Sequence, residues 1–159
     1  MKNFILFMFA ALLMSCEGNA QQAQKKQNFP VSKTEAEWKA ELSPAQFQVM
    51  RKKGTERAFT SKLNKVKEPG TFVCAACGNE LYKTAHKFDS GTGWPSFDRA
   101  FDEQNVAYRP DRTGGYPATE VICADCGSHL GHVFNDGPRR TTGKRHCING
   151  VALNFITEQ

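Results

Sequence analysis

The sequence lacks a long block of basic residues, and it lacks internal repeats. Its 21 lysines and arginines are scattered among 16 acidic residues, which leaves a formal net charge of only +5. Nucleic-acid binding requires clustered positive charge, so this charge distribution argues against it. No unit recurs at the period of a solenoid or propeller. At 159 residues, the chain has the length of one domain with an appendage.

Long apolar runs are scarce too, and the main one stands at the beginning of the chain. Lys2 precedes an apolar stretch over residues 4–14, which is too short for a stable membrane span and is typical of an export signal. The order Leu13-Met14-Ser15-Cys16 resembles a bacterial lipobox. We therefore predict a lipoprotein-type signal peptide over residues 1–15 and export to the cell envelope or periplasm, with a lipid anchor on Cys16. An ordinary cleaved signal is the alternative.

Residues 16–32 contain almost nothing apolar and are rich in Gln, Asn, Lys and Ala. Such a segment cannot form a core, so we predict a flexible tether there and a folded domain over residues 33–159. We expect the lipid to be the only contact with a membrane, and the protein to be a monomer.

Two patterns divide the predicted domain. Ser43-Pro44 supplies a helix N-cap followed by a first-turn proline, and apolar residues around it recur at helical spacing, which predicts helices over 34–41 and 44–51. After Gly70, short apolar stretches alternate with turn residues, which is typical of strands. The sequence thus predicts a mainly β, antiparallel fold with short N-terminal helices and strands over 71–73, 106–108, 120–122, 130–134 and 148–155.

Four of the six cysteines form two pairs of the same design. In each pair two residues separate the thiols and a glycine follows the second thiol, which permits the tight turn of a zinc knuckle. Four thiolates fill a tetrahedron and leave no position for a reacting water. We predict one structural Zn²⁺ ion bound by Cys74, Cys77, Cys123 and Cys126. Redox C-x-x-C motifs or two disulfides are the alternative.

Cys147 remains as a free thiol once the zinc site and Cys16 are set apart. Lys144 and Arg145 precede it, and positive charge stabilises the nucleophilic thiolate. A lone cysteine in a strand is often just a small buried hydrophobe, and the basic flank is what favours a reactive one here.

Two other segments would complete a site around this thiol. A glycine-rich turn at 90–97 presents Trp94, which suits the wall of an apolar pocket. His129 and His132 lie three residues apart, so in a regular strand their side chains point to opposite faces and we expect at most one to face the site. His86 lies outside any motif, and we expect it at the surface.

Four blocks, in order, resemble the B-type methionine-R-sulfoxide reductase family. The resemblance covers about residues 38–155, and it implies two small antiparallel sheets with short helices. It also implies thiol-dependent reduction of methionine (R)-sulfoxide in oxidised proteins or peptides, a repair reaction. The blocks are Cys74-x-x-Cys77, Ser90-Gly-x-Gly-Trp-Pro-Ser-Phe97, Cys123-x-x-Cys126 with His129-Leu-Gly-His132-Val-Phe134, and Arg145-x-Cys147-x-Asn149.

The resemblance also implies a role for each matched side chain. Cys147 would attack the sulfoxide sulfur and become a sulfenic acid, while His132 would polarise or protonate the sulfoxide oxygen. Trp94 would receive the substrate methyl group. The supporting roles fall to Asn149 and His129 beside His132, to Phe134 in the apolar wall, to Arg145 as the cation that favours the thiolate, and to Asp136 as a group that orients the thiolate or a histidine.

The sequence departs from many family members at Thr92, where they carry a resolving cysteine. We therefore expect an external reductant, either a thioredoxin-like protein or a small thiol. A zinc-ribbon-like binding module without catalysis is the rival interpretation, and a dithiol oxidoreductase that uses the paired cysteines is a third.

Overall fold

A computed structural model describes residues 28–158 of the chain. The predicted signal peptide, Cys16 and the first twelve residues of the predicted tether lie outside the described residues. Within residues 28–158, no helix combines the length and the apolar character that a membrane span requires.

Two short helices open the domain, as the sequence predicts. They are α1 (Glu35–Glu41) and α2 (Pro44–Met50), and a capping box closes the first turn of each. Their buried side chains, Trp38 on α1 and Phe47, Val49 and Met50 on α2, face the core. Short 3-10 helices occur further along the chain at Lys62–Lys65, Thr84–His86, Glu103–Asn105 and Gly150–Ala152.

The strands form two fully antiparallel sheets. In chain order they are β1 (Gly70–Cys74), β2 (Glu80–Lys83), β3 (Lys87–Phe88), β4 (Ser96–Phe97), β5 (Val106–Asp111), β6 (Ala118–Cys123), β7 (His129–Phe134), β8 (Arg145–Ile148) and β9 (Leu153–Thr157). The first sheet has the order β2-β1-β9, and the second has the order β3-β4-β8-β7-β6-β5. The predicted mainly β fold with two antiparallel sheets is confirmed.

One predicted strand is wrong, and three strands were not predicted. The apolar stretch 148–155 is not continuous, because a 3-10 turn at Gly150–Ala152 carries the chain from β8 in the second sheet to β9 in the first. The strands β2, β3 and β4 have four, two and two residues, which is too short to show a period. His86 was expected at the surface but is half-buried, and its Nδ1 atom is enclosed.

Three aromatic rings join the two sheets. Tyr82 on β2 stacks on Phe97 of β4 with 4.3 Å between ring centroids, and Phe72 on β1 meets the same ring edge-on at 5.0 Å. All three side chains are fully buried, so each contributes about 2 kcal/mol or more of hydrophobic stabilisation. The contact fixes β4 beside β8, the strand that carries Cys147.

The packed chain begins a few residues before position 33, where we predicted the domain to start. The amide of Val31 donates to the carbonyl of Asp125 at 2.8 Å, and the guanidinium of Arg109 lies 5.5 Å from the ring centroid of Phe29. Phe29 also sits against Gly127. The end of the predicted tether therefore rests on the second cysteine pair.

Candidate active site and metal centre

Four cysteine sulfurs converge at the junction of the two sheets. Cys74 ends β1 of the first sheet and Cys123 ends β6 of the second. The Sγ atoms of all four paired cysteines lie within 4.8 Å of one another, with Cys74 to Cys126 at 3.7 Å and Cys77 to Cys123 at 3.6 Å. A tetrahedron with metal–sulfur bonds of 2.3 Å has edges of about 3.8 Å. The cluster therefore fits one tetrahedral metal ion.

The turns of the two pairs explain how short segments aim two sulfurs at one point. Gly78 has φ +81° and Gly127 has φ +67°, a region where side chains are disfavoured. The amide of Gly78 closes its turn on the carbonyl of Cys74 at 2.8 Å, and Gly127 does the same on Cys123 at 2.9 Å. All five described cysteines are free thiols, so among residues 28–158 the disulfide alternative finds no support.

A separate pocket of about 320 Å³ opens beside Cys147. Five residues singled out in the sequence line it: Trp94, His132, Phe134, Cys147 and Asn149. Others were not singled out, among them Lys53, Asp111, Thr113 and Tyr116. The structure thus brings the glycine-rich turn, β7 and β8 together around one thiol.

Strand register places an imidazole next to this thiol. Cys147 on β8 pairs directly with His132 on β7 and, on its other side, with Ser96 on β4. Directly opposed residues of antiparallel strands share a face, with Cβ atoms about 5 Å apart. Gly131 permits this approach, because a Cβ atom there would lie 2.0 Å from the carbonyl oxygen of Cys147.

The prediction that His129 and His132 point to opposite faces is wrong. Their ring centroids lie 5.4 Å apart. The register of β6 and β7 shifts between Val121 and Ile122, which leaves Leu130 as an extra residue on β7. This bulge interrupts the alternation and turns both imidazoles to one side. Of the two, His132 lines the pocket and His129 is buried behind it.

Asp111, which no sequence pattern indicated, fixes a hydrogen on the Nε2 atom of His132. Its Oδ2 atom accepts a hydrogen bond from His132 Nε2 at 2.8 Å, and its Oδ1 accepts two from Thr113. The bonds from His132 and from Thr113 hold the pKa of the Asp111 carboxyl well below its usual range. Because a carboxylate only accepts, Nε2 carries the hydrogen, and Nδ1 is the nitrogen left for other chemistry.

His129 belongs to a hydrogen-bonded chain that runs through buried Glu120 to the exposed Lys53. Glu120 accepts from His129 Nδ1 at 2.9 Å and from Lys53 Nζ at 2.7 Å. Burial would raise the pKa of Glu120, but the bonds from His129 and Lys53 outweigh it and leave the pKa below its ordinary value. This chain packs the ring of His129 against the ring of His132.

Burial and charge act on Cys147 in opposite directions. Burial raises the pKa of the thiol, while the charge of Arg145 and the hydroxyl of Thr92 lower it by less. Lys144 is exposed. Asp136, which we expected to orient the thiolate or a histidine, instead binds Arg145 through two oxygens at 2.9 Å each. It thus orients the arginine, which also packs over Phe134 at 4.5 Å.

Thr92 is the last member of a chain of hydroxyl groups that leads to the thiol of Cys147. Its Oγ1 atom lies 3.9 Å from Cys147 Sγ and 2.8 Å from Ser90 Oγ. Ser90 in turn bonds to Ser96 at 2.7 Å, and Ser96 donates to the carbonyl of Trp94 at 3.1 Å. The glycine-rich turn therefore faces Cys147 with a hydroxyl group.

A family model and the curated relatives of this chain agree on one family. The model of the SelR domain matches residues 42–157. Peptide methionine sulfoxide reductase MsrB of Methanosarcina barkeri is 53% identical over 81% of this chain and 90% of its own length. The protein of the same name from Leptospira interrogans is 49% identical over 82% of this chain and 99% of its own.

This chain belongs to the SelR family, the B-type methionine-R-sulfoxide reductases. It is therefore an oxidoreductase that reduces methionine sulfoxide. A more distant likeness is a crystal structure of a Mis18 'Yippee-like' domain, with 17% identity and a TM-score of 0.47 over 58% of this chain and 99% of that one.

The side chains that match the reductase family occupy two kinds of position in the structure. Trp94, His132, Phe134, Cys147 and Asn149 line the pocket, whereas His129 and Arg145 support it from behind. Asp111 and Glu120 were missed. A signal existed for Glu120, since a lone carboxylate inside an apolar strand requires a partner. Asp111 gave none, because it lies 21 residues from His132.

Proposed function

We propose that this reductase acts on methionine (R)-sulfoxide within peptides and proteins, with Cys147 as the nucleophile. The observation that carries the proposal is the pairing of Cys147 with His132 across β8 and β7, inside a pocket that Trp94 lines. Methionine sulfoxide carries a polar S=O group and a methyl group on the same sulfur. The nucleophile and the acid–base group, which share one face of the sheet, suit the S=O group. The apolar wall beside them suits the methyl group.

The equation of the reaction balances with the thiol and the sulfoxide as its only reactants. The Cys147 sulfur attacks the sulfoxide sulfur, the sulfoxide oxygen takes a proton, and methionine leaves as the oxygen passes to Cys147. The sulfoxide is reduced by two electrons and the thiol is oxidised to a sulfenic acid, whose hydrogen is the one the thiol supplied. Burial raises the pKa of the Cys147 thiol, which favours the protonated form that supplies this proton.

His132 is the group that we propose moves this proton. Asp111 accepts the Nε2 hydrogen, so Nδ1 is the atom that takes the thiol proton and gives it to the sulfoxide oxygen. Asn149 offers an amide N–H nearby. His129 and its partner Glu120 hold the ring of His132 in place from behind.

The other side of the pocket receives the apolar part of the substrate. Trp94 and Phe134 both line it, and we propose that Trp94 contacts the substrate methyl group. Arg145, held by Asp136 and packed on Phe134, favours the thiolate once it forms.

We propose that an external thiol restores the enzyme. Of the described cysteines, all except Cys147 belong to the four-sulfur cluster. Thr92 faces Cys147 from the glycine-rich turn with a hydroxyl group at 3.9 Å, and not with a thiol. A thiol of a thioredoxin-like protein or a small molecule would attack the sulfenic sulfur, release water and form a mixed disulfide, which a second thiol then resolves.

We propose that the ion held by Cys74, Cys77, Cys123 and Cys126 is Zn²⁺, with a structural role. Four sulfur ligands favour zinc and close its coordination. The cluster joins β1 of one sheet to β6 of the other, so the ion would fasten the two sheets together.

We propose, from the sequence of residues 1–32 alone, that the chain is exported and anchored by a lipid on Cys16. In the cell envelope it would repair oxidised proteins. Cys16→Ala should move the protein from the detergent phase to the aqueous phase on Triton X-114 partition. Detergent-phase recovery of the variant would contradict the anchor.

The test of the proposed reaction uses one peptide with methionine sulfoxide as separate R and S epimers, and dithiothreitol as reductant. The wild type should reduce the R epimer alone, and Cys147→Ser should reduce neither. A binding module would be inert in both forms, whereas a dithiol oxidoreductase would retain its activity in Cys147→Ser.

A further inference from the structure

Residues 53–64 begin at the pocket and contact both the glycine-rich turn and the segment that follows β8. Lys53 and Thr55 line the pocket. Further along, the amide of Phe59 and the side chain of Asn64 both donate to the carbonyl of Gly93, at 2.8 and 2.9 Å. This segment therefore touches the glycine-rich turn at the residue before Trp94.

Glu56, in the middle of this segment, bonds to two proposed substrate-site residues that lie on different loops. Its carbonyl accepts from the indole Nε1 of Trp94 at 3.2 Å, and its amide donates to Asn149 Oδ1 at 3.0 Å. Its carboxylate accepts from the amides of Gly150 at 2.5 Å and Val151 at 3.0 Å. One half-buried residue thus makes four hydrogen bonds at the site.

The bond to Asn149 also decides which end of that amide is which. The Glu56 amide can only donate, so it requires the oxygen of Asn149, and Asn149 Nδ2 then donates to the carbonyl of Leu130 at 3.0 Å. Nδ2 carries two hydrogens, and the bond to Leu130 uses one of them. The orientation set by Glu56 therefore leaves one Nδ2 hydrogen of Asn149 for a further acceptor, and Asn149 lines the pocket, where a sulfoxide oxygen could accept it.

We infer that Glu56 is a positioning residue for substrate binding, which locks the Trp94 wall and the Asn149 donor at a fixed separation through its carboxylate anchor on Gly150 and Val151. This inference rests on the proposed function, because it assigns Trp94 and Asn149 to the substrate. Glu56 itself touches neither the thiol nor the sulfoxide. Its carboxylate holds its own backbone in place, and the backbone holds the two side chains.

The variants separate positioning from simple stability. Glu56→Gln offers one oxygen and one NH₂ group to two amide donors, so one bond is lost, and Glu56→Ala loses both. Glu37→Gln is the matched control, since Glu37 accepts the amide of Thr34 at 2.7 Å in the α1 cap and α1 contributes nothing to the pocket lining.

Two readouts are combined in wild type and variants. The first is kcat and KM for the R-sulfoxide peptide; the second is the ¹H–¹⁵N spectrum of the indole groups, of which the chain has two. Glu56→Gln should raise KM and lower kcat/KM about tenfold, with Glu56→Ala at least as impaired. The Trp94 indole signal should shift while the Trp38 signal stays. Glu37→Gln should keep wild-type kinetics.

The inference is overturned if both Glu56 variants keep kcat/KM within about twofold of wild type, if the Trp94 signal does not move, or if Glu37→Gln impairs the kinetics equally. The spectrum also tells this failure from that of the proposed function. A wild type without reductase activity removes the proposed function, but the Trp94 signal still reports whether Glu56 holds the loop.

Discussion

The cysteines of the four-sulfur cluster and Cys147 have the same side chain but different roles. The sulfurs of the cluster cysteines lie within 4.8 Å of one another, at the ends of one strand from each sheet and in the turns that follow. Cys147 lies inside a strand, opposite His132 and facing a hydroxyl group. Neighbours, and not the thiol itself, separate a site that holds structure from a site that performs a reaction.

The two sites should also respond differently to the loss of a thiol. The cluster is closed, because a metal bound to four sulfurs has no open position. Cys147 is partly exposed at the wall of a pocket, and burial raises the pKa of its thiol. Removal of a thiol should therefore affect fold at one site and reaction at the other, with little overlap.

The largest expected effect separates the two sites by stability. Cys77→Ser should remove a metal ligand and lower the free energy of unfolding by more than about 3 kcal/mol, because metal binding is coupled to folding in such sites. Cys147→Ser should leave stability near wild type and abolish turnover. Chemical denaturation and zinc content, measured for both variants, check this, and equal stability losses would contradict the division.

The second-largest effect should appear in kcat when His132, which we propose moves the proton, is replaced. His132→Ala should lower kcat by about 100-fold or more, because general acid–base catalysis typically contributes that much. Asp111→Asn should lower kcat less, since the imidazole remains but its Nε2 hydrogen is no longer fixed by a carboxylate. Steady-state kinetics with the R-sulfoxide peptide give both values. Wild-type kcat in His132→Ala would assign the proton to another group.

A smaller effect should appear in the pH dependence of Cys147. Burial raises the pKa of this thiol above its ordinary value, and Arg145 opposes the rise. The thiolate is the form that is alkylated, so the iodoacetamide rate should increase with pH and reach half its maximum above the ordinary thiol pKa. Arg145→Met should move this midpoint higher, because a cation that favours the anion is lost. A midpoint that stays or falls would contradict the role of Arg145.

The smallest effect is expected at Thr92. Thr92→Val removes the hydroxyl that lies 3.9 Å from Cys147 Sγ while the shape of the side chain is kept, so the alkylation midpoint should rise slightly and kcat should fall by a few-fold at most. Thr92→Ser keeps the hydroxyl and serves as the control. A loss as large as that of His132→Ala would mean that the hydroxyl acts on the substrate.

The sequence was most informative where the chemistry is local. Each cysteine pair has its geometry within five residues, and the capping residues of α1 and α2 lie next to the helices they begin. The site around Cys147 depends on register instead. Nothing in the order of residues shows that Leu130 is a bulge that turns His129 and His132 to one side.

The remaining omissions have two physical causes. Asp111 meets His132 only because β5, β6 and β7 form adjacent hairpins, and such pairing over 21 residues has no local pattern. Glu56 acts largely through its amide and carbonyl, which every residue type other than proline possesses, so its position in the fold decides its role. The break between β8 and β9 had a local signal in the Asn149-Gly150 turn pair, but the apolar residues on both sides of it were interpreted as one strand.

Cys147 alone among the described cysteines should change oxidation state when the enzyme meets its substrate. The direct measurement treats wild-type protein with one equivalent of R-sulfoxide peptide without reductant, adds dimedone, and determines intact mass and the modified peptide. We expect one dimedone adduct, on Cys147, with zinc retained. An intramolecular disulfide, or an adduct on a cluster cysteine with loss of zinc, would contradict it.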